Sequence, residues 1–249
     1  MALASPRPHQ LLALVALVVL AAPCAAADSD LAVLASNEAA ALLPTSPSSS
    51  AAAAAQASAT YSLLGDDDLF PDLVASGAYN TSDQRVVWPA ATHVSRAKAM
   101  ALAAADPRGP QHLNGTLLRG ADRALQSWAR LNLENANWWY NQIGVPMAMA
   151  DALLLMQHAA YDVGAAGGAL DACNGCRSCL NQAHAGAMTG ANLVWLTHIA
   201  MQNALLRGNG TRVGECFDLI YAEVCRSPLG CRSLHVLTHS RTARNTNAF

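Results

Sequence analysis

The sequence predicts an all-α fold. Apolar residues recur at helical spacing from Thr92 onward, Gly and Pro fall between the apolar stripes, and no alternating strand pattern with turn chemistry separates them. A chain of 249 residues is long enough to bury a core that is stable without staples.

The helices read in order. Val94, Ala97, Ala101 and Ala104 share one face until Pro107 ends the first, and Leu117, Ala121, Leu125 and Trp128 form a second stripe. Pro146 stands where a first turn tolerates it, and Met149, Leu153, Met156 and Ala160 carry one face onward to Gly164. Thr189 is the candidate N-cap of a fourth helix with Leu193, Leu196, Ala200 and Ala204 inward and Gly208 as its stop. A fifth begins near Thr211 and turns Val213, Phe217, Ile220 and Val224 to the core.

The chain ahead of these stripes has a different character. Residues 1–27 read as a signal peptide, with Arg7, the apolar run "LLALVALVVLAA" and an Ala25-x-Ala27 cleavage site. That run is shorter than the roughly twenty residues of a membrane span. Residues 28–60, dominated by "TSPSSSAAAAAQASAT", read as a low-complexity linker with too little apolar surface to order itself. "GDDDLF", Gly65 to Phe70, reads as a solvated loop.

Secretion changes the meaning of two further features. The sequons at Asn80, Asn114 and Asn209 become glycan acceptors on exposed loops, and the six cysteines that remain without Cys24 become disulfide partners. "CNGCRSC" places Cys173, Cys176 and Cys179 at a spacing that would suit zinc or an iron–sulfur cluster in a reducing compartment. In an oxidising one it predicts disulfides, within the loop or to Cys216, Cys225 or Cys231, and no free thiol. Cys216 and Cys225 fall on opposite faces of one helix and do not pair with each other. No metal or cofactor is implied. Charged residues make up 13% of the chain and the net charge is −2, so no electrostatic argument favours nucleic acid or an anionic membrane as a partner.

Large aromatic and amide side chains concentrate in "NLENANWWYNQIGVP", Asn132 to Pro146. Adjacent Trp138 and Trp139, expected in a loop, point in different directions, so that one plugs the core while at least one faces a cleft. An exposed indole flanked by amides such as Asn135, Asn137 and Asn141 suits a sugar ring, whose C–H face stacks while its hydroxyls bond the amides. In "MTGANLVW", Asn192 would stand at the third helical position after Thr189, where unpaired N–H groups and the positive helix end attract a carboxylate.

"NWWYNQIGVP" followed downstream by "TGAN" resembles polysaccharide lyase family 8, which includes hyaluronate, chondroitin AC and xanthan lyases. The resemblance implies an α/α toroid of helical hairpins at residues 61–230, incomplete and truncated before the β-sandwich domains that normally follow. It implies an extracellular protein whose partner is an acidic polysaccharide. Trp138 and Trp139 would bind this substrate, and catalytic Asn192 would face the uronate carboxylate during β-elimination across C4–C5. The departure lies downstream: His235 and His239 lack the family's surrounding motif, no tyrosine follows Tyr221, and residues 231–249 read as an aberrant tail. The expectation is therefore a lyase-like fragment without the complete catalytic set, with a non-catalytic carbohydrate-binding helical module as the alternative.

Overall fold

Every helix expected from Thr92 onward is present in the computed structural model, which describes residues 28–80, 87–165, 167–173, 175–182 and 188–226. The signal-peptide and tail readings lie outside the described residues. The helices are α1 (Asp28–Leu42), α2 (Pro47–Ser62), α3 (Pro71–Ala75), α4 (Thr92–Ala105), α5 (Gly115–Leu131), α6 (Val145–His158), α7 (Ala169–Ala172), α8 (Gly190–Leu206) and α9 (Gly210–Arg226). Among the described residues there is no strand, and no helix is long and apolar enough to cross a membrane.

The stretch expected to be a linker is helical. Ser46 accepts from the Ser49 N–H while the Ser49 hydroxyl accepts from the Ser46 N–H, and Pro47 opens the first turn. Low complexity here means alanine, the strongest helix former, and small side chains let α2 lie close against α4 with Ala54 and Ala57 buried. Tyr61, at the end of α2, rests on α5 at Gly120, where a Cβ would approach its ring to 2.7 Å.

α4 lies at the centre, packed on α2, α5 and α6, while α8 lies on α6 and α9, and α1 crosses α6 and α8. The core is rich in alanine and leucine, with Trp128, Phe70 and Met100 as its bulk. Two polar networks pin it. Lys98 of α4 pairs with Asp151 of α6 at 2.6 Å, and the other Asp151 oxygen accepts from Gln202 Nε2 of α8 at 3.0 Å, so one carboxylate joins three helices. His93 is fully buried: its Nε2 donates to the Ala124 carbonyl at 2.7 Å and its Nδ1 accepts from the Tyr79 hydroxyl at 2.8 Å. Burial lowers its pKa to about 4, in keeping with the neutral tautomer that this geometry requires.

The acidic loop is also more than a solvated turn. Asp68 has a positive φ and bridges Arg123 and Arg130 of α5 at 2.5 and 2.9 Å, and the Ser127 hydroxyl donates to its carbonyl. The loop is thereby held on α5.

Candidate functional site

The segment from Asn132 to Gly144 explains where its asparagines go. Asn132 ends α5 in the left-handed region, with φ 47°, which asparagine tolerates better than most residues. Asn135 and Asn141 bond reciprocally: the Asn135 N–H donates to Asn141 Oδ1 at 2.9 Å, and Asn141 Nδ2 donates to the Asn135 carbonyl at 2.7 Å. Asn135 Oδ1 accepts the Asn137 N–H, and Asn137 Oδ1 accepts the Trp139 N–H. The amides expected to meet sugar hydroxyls are thus largely engaged in holding the backbone.

Trp138 and Trp139 do not lie in a loop, since both have helical conformation. They lead into a π-turn at Tyr140–Gly144, closed by the Val145 N–H on the Tyr140 carbonyl, and then into α6. Successive helical residues diverge by about 100°, so the two indoles still separate. Trp138 is 39% exposed. Trp139 turns inward, its ring over Gly144, where a Cβ would meet it at 2.5 Å, and edge-on to Tyr140. It also packs on a small core of Ile143, Leu196 and Ile199. Trp139, expected beside Trp138 as a substrate contact, is partly buried against the protein and is not among the residues lining the cavity that Trp138 faces.

That cavity has a volume of about 890 Å³, within the range of ligand sites, roughly 300–1,000 Å³. Buried Trp88 forms part of its floor, standing edge-on to Trp128 and Tyr140. Tyr79 lines it with its hydroxyl committed to His93. Asn132, Glu134, Asn135 and Trp138 form one wall, and Arg177 stands beside them. Tyr79, Trp88 and Arg177 were not singled out from sequence. No motif marks them, because they come from separate segments that meet only in the fold.

Asn192 occupies the expected third position of α8, half-buried. Thr189 caps through its backbone and its side chain makes no capping bond; the Gly190 N–H instead donates to Glu223 Oε1 of α9 at 2.6 Å. The carboxylate that a helix start attracts is here supplied partly by the chain itself. Trp139 is what joins the two sequence motifs, because Leu196 and Ile199 of the core it packs on belong to α8. Asn192 is not among the residues lining the Trp138 cavity.

A disulfide joins Cys176 and Cys179, which withdraws two sulfurs from any zinc site at the CxxCxxC run. Cys173 and Cys216, expected in disulfides, are fully buried and unpaired among the described residues, and the candidate partner Cys231 lies outside them. Burial pushes the Cys173 thiol up to about 12, so it stays protonated and inert. Of the sequon asparagines, Asn80 lines the cavity, Asn209 is exposed, and Asn114 is the α5 N-cap, accepting from Thr116 and Leu117 while its Nδ2 donates to Gln111.

Comparison with known proteins accords with this architecture. The model of the polysaccharide lyase family 8 N-terminal α-helical domain matches residues 49–224, well over half of the chain. A solved chondroitinase AC lyase, described in complexes with oligosaccharide, superposes with a TM-score of 0.60 at 17% identity over 69% of this chain and 24% of that one. A Paenibacillus xanthan lyase superposes with a TM-score of 0.54 at 20% identity over 69% of this chain and 16% of that one. At such identities the likeness is one of fold, and the chain spans about a quarter or less of the length of these structures. No curated protein matches it.

Proposed function

Because the chain belongs to polysaccharide lyase family 8, we propose that its cavity seats an acidic, uronate-containing polysaccharide for β-elimination outside the cell. The observation that carries this reading is Trp138, a large aromatic left 39% exposed at the edge of a polar cavity by a segment whose amides hold the backbone in place. Its indole offers a flat apolar face to a sugar ring. The Cys176–Cys179 disulfide supports an oxidising, extracellular setting.

Asn192 is the proposed stabiliser of the uronate carboxylate. Loss of the C5 proton builds negative charge there, and one well-placed amide donor is worth a factor of about 10² to 10³ in rate. Elimination also needs a base for that proton and an acid for the leaving oxygen. The described residues that line the cavity include no imidazole, and a second reading is a lyase-like domain that holds the polysaccharide without turning it over.

Affinity electrophoresis with hyaluronan and chondroitin, beside ultraviolet detection of the new C4=C5 double bond, separates the readings. Retarded migration that Trp138→Ala abolishes establishes the seat, and unchanged migration of the variant overturns it. Turnover that Asn192→Ala removes establishes the lyase; binding without turnover establishes the holding domain.

A further inference from the structure

The stacking role of Trp138 leaves the disulfide loop beside it without a purpose. Cys176 and Cys179 enclose only Arg177 and Ser178. Both enclosed residues are tied to the segment that leads to Trp138. The Arg177 N–H donates to Asn132 Oδ1 at 2.9 Å, and the Ser178 hydroxyl donates to the Leu133 carbonyl at 2.9 Å. The Ser178 carbonyl accepts from Trp128 Nε1 at 3.2 Å. Both cysteines and Ser178 are buried. The loop backbone is therefore fixed to the core, while the Arg177 side chain remains 62% exposed beside the cavity.

Among the described residues of the cavity lining, Arg177 carries the positive charge and Glu134 the negative one; they meet at 2.9 Å through Nη1 and Oε2. Both side chains are more than half exposed, so solvent screens the pair and it exchanges readily. A carboxylate or sulfate arriving with a sugar chain matches the planar guanidinium fork and can take two of its donors at once. A further donor waits on the same wall: Asn135 is 2% exposed, and its Nδ2 has no partner among the described residues.

We propose that Arg177 is a specificity-determining contact for the acidic group of the bound glycan, with Glu134 as the partner that group displaces. This rests on the reading of the Trp138 cavity as the polysaccharide seat. The disulfide loop fixes the backbone at Arg177, so that guanidinium and indole face one sugar chain together, the first reading its charge and the second its ring.

The test measures affinity of the purified chain, at low and moderate salt, for hyaluronan oligosaccharides, chondroitin sulfate, and carboxyl-reduced, desulfated chondroitin. Arg177→Gln lowers affinity for the charged glycans about tenfold and flattens their salt dependence, and it leaves the neutral glycan unchanged. Glu134→Gln raises affinity for the charged glycans. A deficit restricted to chondroitin sulfate assigns the contact to sulfate, and a deficit shared with hyaluronan assigns it to the carboxylate. Unchanged affinity in Arg177→Gln while Trp138→Ala still abolishes binding overturns the role of Arg177 and leaves the seat standing. Equal loss for neutral and charged glycans also overturns it. Binding indifferent to Trp138 overturns the seat itself.

Discussion

The wall of the cavity and the helical bed beneath it are held by different forces. The wall, from Asn132 to Trp138 with Arg177 beside it, is shaped by amide-to-backbone hydrogen bonds and leaves its large side chains in solvent. The bed is held by burial: Trp128 and Trp88 stand edge-on within it, His93 is sealed among aromatic rings, and Lys98 meets Asp151 between helices. The difference teaches where this molecule tolerates change. A wall fixed through its backbone can exchange the side chains it presents, whereas a bed fixed through its side chains cannot.

The largest test of that contrast is Trp128→Ala. The ring is fully buried and its indole nitrogen holds the disulfide loop, so truncation costs about 3–5 kcal/mol in urea denaturation. A cost below about 1 kcal/mol would break the comparison. Lys98→Ala comes next, at about 3 kcal/mol, because it leaves the Asp151 carboxylate, 8% exposed, with no compensating charge. Replacing both partners, Lys98→Met with Asp151→Asn, restores part of that loss, since the amide has no charge to desolvate and its Oδ1 can still accept from Gln202.

The same contrast explains what was legible in the sequence. The stripes of α4, α5, α8 and α9 could be read directly because the helical period records their buried faces, whereas α6 is buried on every side from Met149 to Met156 and ends at His158, leaving Ala160 of its expected stripe exposed. α1 and α2 could not be read this way, because apart from Leu31 their buried residues are Ala39, Ser50, Ala54, Ala57 and Thr60, whose apolar signal is weak. That at least one of the adjacent tryptophans is exposed was legible; that it is Trp138 was not. The roles of Asn135 and Asn141 were not, because a reciprocal side-chain-to-backbone bond depends on a turn that residue types alone do not specify. Arg177 and Trp88 enter the cavity through tertiary contacts between distant segments, and the Cys176–Cys179 pairing was one of several that the spacing allowed.

His93 turns the contrast into a dependence on pH. Its folded pKa lies near 4, below the ordinary 6.5 that the unfolded chain regains. Above 6.5 both states are neutral at this position and it does not affect the balance. As pH falls toward 4 the unfolded chain takes up a proton that the buried imidazole refuses, so stability declines across that window by at most about 3 kcal/mol and levels off below it. Melting curves from pH 7.5 to 4 should show this decline, and His93→Gln, less stable at neutral pH, should lack its share. An identical slope in the variant would assign the loss to other groups.

The smallest effect on stability, and the sharpest on binding, separates the two adjacent tryptophans. Trp139→Ala empties the space over Gly144 and beside Ile143 and Leu196, and half-buried truncation of that size costs about 2 kcal/mol. Its glycan affinity falls only as far as the wall shifts. Trp138→Ala removes a ring already 39% exposed, and the backbone beneath it keeps its Asn135, Asn137 and Asn141 bonds, so unfolding should change by less than about 1 kcal/mol. Affinity for an acidic polysaccharide should fall about tenfold. Urea titration and affinity electrophoresis on the same two samples read both quantities. Opposite ranking of the variants in the two assays is the expected result, since one indole supports the wall and its neighbour faces the ligand. If Trp138→Ala destabilised the fold as much as Trp139→Ala, the wall would be held by burial like the bed, and the division between them would fail.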